Sequence, residues 1–275
     1  MGPTGAGKSS FIAKVTGGDV RIGHDLQSCT TDIKIVKYEC PDKSDFDVVF
    51  VDTPGFDDTE RSDVEILEMI ADWLNKTYER KIILAGILYF HRISDNRMAG
   101  TPLKNLKMFR ELCGKNALQN IILTTTMWDE VDAETGARRE AELRSKYWKA
   151  MIDHGSATAR FHSTQESAWD IVDHFVRDSN ARHAVLLQNE MSEMKKQLPE
   201  TNAGQKLYTE LEVLVHRQQA TLKKIREETK QHADPAEYAG LRTQLATVVN
   251  DMESMKLPLG KRILRLIWGP MFGSK

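Results

Sequence analysis

Gly2-Pro3-Thr4-Gly5-Ala6-Gly7-Lys8-Ser9 fits the pattern GxxxxGK(S/T), a loop whose backbone amides turn inward on a bound polyphosphate. Lys8 supplies a point charge beside the phosphates, and the Ser9 hydroxyl is placed to ligate Mg²⁺, with Ser10 next along the same backbone. Phe11, Ile12 and Val15 follow at helical spacing, so the phosphates would also sit over a helix N-terminus. Downstream, the apolar run Phe46 to Val51 leads into Asp52-Thr53-Pro54-Gly55, a DxxG element. In such an element the Asp holds a metal-bound water and the Gly amide points at the terminal phosphate, so the loop senses whether that phosphate is present.

A third apolar run, Ile121 to Leu123, leads into Thr124-Thr125-Thr126-Met127-Trp128-Asp129, which is similar to the base-reading element (N/T)KxD. The two carboxylate oxygens of Asp129 can accept from guanine N1–H and N2–H₂, donors that adenine does not present in that pattern. Leaving them unpaired would penalise the wrong base by roughly 10⁴-fold. Thr126 and Asp129 are the base-side candidates; Met127 stands where lysine is usual and would lay a thioether on the base.

Together these motifs resemble the septin-like and immunity-associated branch of the translation-factor-related GTPases, and within it fungal G-domain proteins bearing GPTGAGKS, a switch segment like GHDLQSCTT, DTPGFDDT, YFHRIS and TMWDEV. The resemblance spans about residues 1–180. It implies a Ras-like α/β domain with a GTP/GDP and Mg²⁺ site, often with nucleotide-dependent self-association. It also maps the switch threonine that closes on Mg²⁺ to Thr30, with Thr31 as the alternate. The expected set is then Lys8, Thr30 and Gly55 for catalysis, Gly2 to Ser10 with Thr126 and Asp129 for the nucleotide, and Ser9, Thr30 and Asp52 for the metal.

Two departures shape the expectations. In Ras-like enzymes a Gln after the DxxG glycine orients the attacking water, but Phe56 occupies that place here. Intrinsic hydrolysis should therefore be slow, on the order of 10⁻⁴ s⁻¹ or below, unless a partner or second copy delivers another group. His24, Arg92 and His91 are the candidates within the chain; each also reads as an ordinary loop or strand-end residue. The second departure is that only Met1 precedes Gly2, where a phosphate loop is fed by a buried strand. About five buried apolar residues at roughly 2 kcal/mol each rival a domain's whole stability. The expectation is a strand encoded ahead of Met1.

The elements that must position these residues alternate strand and helix through residue 180, giving a mostly parallel sheet covered on both faces. Residues 32–40 read as an edge strand pairing with Phe46 to Val51. Ser62 starts a helix carrying Ile66, Leu67, Ile70 and Leu74. Ile82 to Phe90 is a strand, the helix through Leu106, Phe109 and Leu112 ends at Gly114, residues 134–152 are helical, and Ala159 to His162 is the last strand.

Beyond residue 180 strand signals cease. Residues 181–256 place Leu207, Leu211, Leu214, Gln218, Leu222 and Ile225, then Leu241, Leu245, Val248, Met252 and Met255, at spacings of three or four. This reads as a coiled-coil arm for self-association or as an α-hairpin folding back. Residues 257–275 continue a cationic amphipathic segment that begins at Lys256, and it would lie in a membrane interface or dock on the hairpin. Net charge is −2 with 28% charged residues, so no nucleic-acid partner is expected. Three cysteines without metal spacing, and no run of eighteen apolar residues, read as a reduced, cytoplasmic chain.

Overall fold

The computed structural model describes residues 1–18, 21–22, 33–39, 47–57, 61–98, 100–177, 184–228 and 235–256. Thr30, Thr31, His24, Cys29, Cys40 and the segment 257–275 lie outside the described residues, as do the side chains of Leu222, Ile225 and Leu241. The chain divides into two compact units, Met1–Lys195 and Lys196–Lys275.

The first unit has the α/β arrangement expected from the alternation of strand and helix. Its strands are β1 (Arg21–Ile22), β2 (Lys34–Glu39), β3 (Asp47–Asp52), β4 (Ile87–Arg92), β5 (Ile121–Thr126) and β6 (Ala157–Arg160). The helices are α1 (Lys8–Val15), α2 (Asp63–Glu79), α3 (Thr101–Cys113), α4 (Ala133–Glu142), α5 (Lys149–Ile152), α6 (Gln165–Arg177) and α7 (Leu186–Gln188). β2 pairs antiparallel with β3, Val36 opposite Phe50, and β1 extends that sheet. β4, β5 and β6 run parallel, Leu88 opposite Ile122 and Leu123 opposite Thr158.

Alternation along β4 sends its side chains to two helical layers. Phe90 meets Phe11 of α1 edge-on at 5.3 Å, and Phe11 meets Phe161 at 5.2 Å, in a core shared with Ile171 and Val172 of α6. Tyr89 faces the other way, its ring 4.7 Å from Phe109 of α3. α2 begins with a capping box: Ser62 Oγ accepts from the Glu65 N–H at 3.3 Å, and Glu65 Oε2 accepts from the Ser62 N–H at 2.9 Å. Its buried face carries Ile66, Leu67, Ile70 and Leu74, as the spacing predicts. α3 stops at Gly114, whose φ is 70°.

Some bounds differ from the sequence reading. β4 begins at Ile87 rather than Ile82, and Ile82 and Ile83 are 41% and 40% exposed. The helix expected over 134–152 is broken by a π turn, Leu143–Tyr147, which seats Trp148 wholly in the core. The last strand sits two residues earlier than expected, and the sheet is two three-stranded pieces rather than one.

In the second unit α8 (Asn202–Glu228) and α9 (Pro235–Ser254) pack on each other. Leu207, Leu211, Val215 and Met255 are buried. Gly204 allows the closest approach, since a Cβ there would lie 2.0 Å from the Leu198 carbonyl oxygen. No described helix is long and apolar enough to cross a membrane.

Candidate phosphate and metal site

The loop Gly2–Ser9 is fixed at three points. Upstream, the Met1 nitrogen donates to the Leu88 carbonyl at 2.7 Å and the Met1 carbonyl accepts from the Phe90 N–H at 2.9 Å, anchoring the loop on β4. Laterally, the Thr4 N–H donates to the Phe56 carbonyl at 3.3 Å. Downstream, Gly7 caps α1 in the left-handed region, φ 85°, so the helix N-terminus opens toward the loop.

Lys8 folds across this loop, its Nζ donating to the carbonyls of Gly2 (3.2 Å) and Pro3 (2.9 Å). Ser9 Oγ donates to Asp52 Oδ2 at 2.6 Å. The first residue of α1 after the lysine and the last residue of β3 therefore meet, although 43 positions separate them. A hydroxyl and a carboxylate at hydrogen-bond distance suit a small hard cation whose other positions are filled by phosphate oxygens and water. Among the described residues no cluster of three His, Cys, Asp or Glu side chains gathers elsewhere as a metal site.

Gly55 packs directly on the loop: a Cβ there would fall 2.4 Å from the Thr4 nitrogen and 2.5 Å from its Oγ1. Phe56, next in sequence, is 1% exposed and belongs to the core, so the position after the DxxG glycine is aimed away from solvent. The strand-end element of β5 closes the other flank. Thr126 Oγ1 donates to the Ala6 carbonyl at 3.2 Å, and the Gly7 Cβ position lies 3.6 Å from the Thr126 methyl and 3.9 Å from the Met127 methyl.

Asp129 sits three residues beyond Thr126 on a short 3₁₀ turn, Trp128–Glu130, entered through Met127 at φ 58°. It is exposed, and the described contacts do not tie it to the loop. The structure thus gathers Lys8, Ser9, Asp52, Gly55 and Thr126 about one loop and gives Asp129 no contact with it among the described residues.

Sequence reasoning passed over a platform beside Asp129. The Arg160 guanidinium lies 4.3 Å over the Trp128 ring and pairs with Glu140, while Trp128 Nε1 donates to Thr125 Oγ1 at 3.0 Å and its ring stands 5.8 Å from His162. The aromatic inside the base-reading motif was the available signal.

The two strand-end candidates for a catalytic group separate. The Arg92 guanidinium lies 3.4 Å from the Gly5 Cβ position and pairs with Asp95 at 3.0 Å, so it borders the loop. His91 points the opposite way, 3% exposed and edge-on to Trp148; burial, with Arg92 adding to it against Asp95, lowers its pKa to about 4. A neutral imidazole in the core cannot orient water at the loop. Asp57, whose N–H donates to Asp63 Oδ1 at 3.0 Å, has its pKa raised by partial burial and by the neighbouring Asp63 charge.

An α/β sheet with a glycine loop entering a helix, and a DxxG glycine resting on that loop, is the arrangement of a G-domain fold. Residues 1–101 match the family model described as 50S ribosome-binding GTPase. A sequence comparison with curated proteins gives no match.

Among solved structures the chain is similar to the chloroplast translocon components atToc33 and psToc159, at 16% identity, TM-score 0.50, covering 67% of this chain and 83% of that one. It is also similar to Toc33 from Arabidopsis thaliana in complex with GDP and Mg²⁺, at 18% identity, TM-score 0.49, covering 67% and 85%. Elongation factor SelB from Methanococcus maripaludis with the GTP analogue GPPNHP is a third, at 14% identity, TM-score 0.44, covering 66% and 33%. At these identities the likeness is one of fold.

Proposed function

We propose that this chain binds GTP with Mg²⁺, hydrolyses it slowly, and couples its nucleotide state to self-association, as a member of the septin-like and immunity-associated kind. The observation that carries the reading is the Ser9–Asp52 contact of 2.6 Å at the mouth of a loop on which Gly55 rests. In this reading Lys8 leaves the Gly2 and Pro3 carbonyls for the phosphates, and Ser9 and Asp52 hold the metal, with Thr30 of the undescribed switch segment completing its set. Bound Mg²⁺ would neutralise phosphate charge and bridge its oxygens. Asp129 reads the guanine edge, and Gly55 senses the terminal phosphate through its amide.

Phe56 favours a second reading, a non-hydrolysing nucleotide-stabilised scaffold acting through its C-terminal helices. Because it is in the core, no glutamine-like group stands at that position, so hydrolysis depends on a group from elsewhere. The structure similar at TM-score 0.50 is described under the finding that dimerization is important for GTPase activity in atToc33 and psToc159. By that precedent a second copy of this chain supplies the missing help.

Titrating GTP and ATP separately in Mg²⁺ tests the ligand: tighter GTP binding, lost in Asp129→Ala, is the expected result, and equal affinities would refute guanine reading. Single-turnover phosphate release measured across protein concentration tests the coupling. A rate that rises with concentration supports catalysis by self-association, and no release at any concentration leaves the scaffold. The basic segment 256–275 extends the proposal to a cytoplasmic protein that touches anionic membranes, for which co-sedimentation with anionic against neutral vesicles is the measurement.

A further inference from the structure

Asp129 is exposed, and among the described residues its carboxylate accepts no hydrogen bond that would aim it at a base. Its aim is set by the backbone of the turn that bears it. Met127 enters that turn at φ 58°, a left-handed value for a residue with a side chain, and within it the Glu130 N–H reaches the Met127 carbonyl at 3.3 Å. One long bond and one unfavourable dihedral do not hold a turn in place, so the surrounding structure has to fix it.

Trp128, the residue before Asp129, is the point of attachment. Its Nε1–H donates to Thr125 Oγ1 at 3.0 Å, and the same hydroxyl donates to the Ala159 carbonyl at 3.3 Å, which ties the indole to both β5 and β6. Arg160 stands opposite Thr125 in the parallel register, and its guanidinium lies 4.3 Å over the indole ring. The guanidinium is itself held. Its Nε donates to Glu140 Oε1 at 2.9 Å and its Nη2 to Glu140 Oε2, a forked grip on a carboxylate side chain that is 14% exposed. Glu140 lies one turn along α4 from Gly136, on the same helix face. A Cβ at Gly136 would fall 2.8 Å from Trp128 Cζ3 and 3.3 Å from a Val131 methyl. Glycine is a poor residue for a helix interior, and here the edge of the indole accounts for it.

We infer that Trp128 is a positioning residue for base recognition: bonded to Thr125, covered by the Arg160–Glu140 pair and fitted against Gly136, its indole holds the turn so that the Asp129 carboxylate is presented preformed to guanine. Thr125, Arg160, Glu140 and Gly136 then act on specificity through the indole. A preformed carboxylate needs no ordering when the base arrives, whereas a loose one does. The loss falls on guanine alone, because adenine presents no matching donors. The role rests on the guanine reading of Asp129 and adds to it where the discrimination is built.

The test uses the full chain in Mg²⁺ with Arg160→Ala, Gly136→Ala and, as the reference, Asp129→Ala. Affinities for GTP, ATP and inorganic triphosphate are measured on each, and the urea midpoint and hydrogen exchange of the Trp128 indole N–H are read without ligand. Arg160→Ala and Gly136→Ala should each cut the preference for GTP over ATP at least ~10-fold while leaving triphosphate binding nearly unchanged. Both should also speed exchange of the indole N–H ~5-fold or more. Asp129→Ala should lose the preference with indole exchange as in the unsubstituted chain.

Preference retained in both Arg160→Ala and Gly136→Ala, but lost in Asp129→Ala, would overturn the positioning role and leave the guanine reading standing. Preference retained in Asp129→Ala would remove the guanine reading and the positioning role with it. A fall in GTP, ATP and triphosphate binding together, tracking a lowered urea midpoint, would make the indole a residue of the fold only and overturn the inference as well. Should either substitution unfold the chain, Trp128→Phe against Trp128→Ala carries the comparison. Phe keeps a ring beneath Arg160 and should retain part of the preference that Ala loses; equal preference in the two would count against the role.

Discussion

The Ser9 hydroxyl and the Asp52 carboxylate are the residues on which the proposed site turns. Ser9→Ala removes the hydroxyl proposed to ligate the metal without disturbing the loop's backbone bonds, so it should weaken Mg²⁺-dependent nucleotide binding at least ~10-fold while leaving stability within about 0.5 kcal/mol. Calorimetric titration with and without Mg²⁺ checks it, since a loss equal in both conditions would mean the hydroxyl has another role. Phe56 makes the opposite case. Replacing it by glutamine restores the residue type that orients water in Ras-like enzymes, yet the side chain is in the core at 1% exposure. Phe56→Gln should therefore cost about 2–4 kcal/mol in urea unfolding and give no faster phosphate release. A faster release would mean the loop turns that side chain outward. Thr126 and Gly55 were legible in the sequence as motif positions. Their mutual packing through Gly7 and Thr4 was not, because it depends on how the loop backbone closes in space.

At the scale of elements, legibility followed local chemistry. The entry to α2 is written in Ser62 and Glu65, three residues apart, and both bonds of the capping box form. Ser62→Ala should cost about 1 kcal/mol, read as a lower midpoint in urea with an unchanged slope. Because Asp63 in that first turn pairs with Lys104 at 2.5 Å and both side chains are mostly buried, Lys104→Met should add a loss of its own by leaving the carboxylate uncompensated. The apolar face of α2 and the stop of α3 at Gly114 were equally readable, being set by side-chain spacing and one left-handed residue. β4 was not, since Ile82 to Gly86 carry strand-forming residues that find no ladder, and half of Ile82 and Ile83 faces solvent. Strand bounds depend on a neighbour that periodicity alone does not reveal. The π turn before Trp148 was hidden for a similar reason: the core position of one tryptophan, rather than helix propensity, decides where the helix is interrupted.

For the whole molecule, a buried base makes stability a function of pH. His91 has its pKa lowered, chiefly by burial, to about 4 from an ordinary value of 6.5. Between the lowered and the ordinary value the unfolded chain binds a proton that the folded chain refuses, so stability rises with pH across that interval and is lost as pH falls. Asp95 opposes the shift and Arg92 reinforces it. The interval is worth on the order of a few kcal/mol, a sizeable share of a domain's total stability. Urea unfolding followed from about pH 7.5 to about pH 4.5 should therefore give a steadily falling stability. His91→Phe should flatten that profile, because the ring's contact with Trp148 is apolar in either case. A profile unchanged by the substitution would place the acid sensitivity in the carboxylates instead.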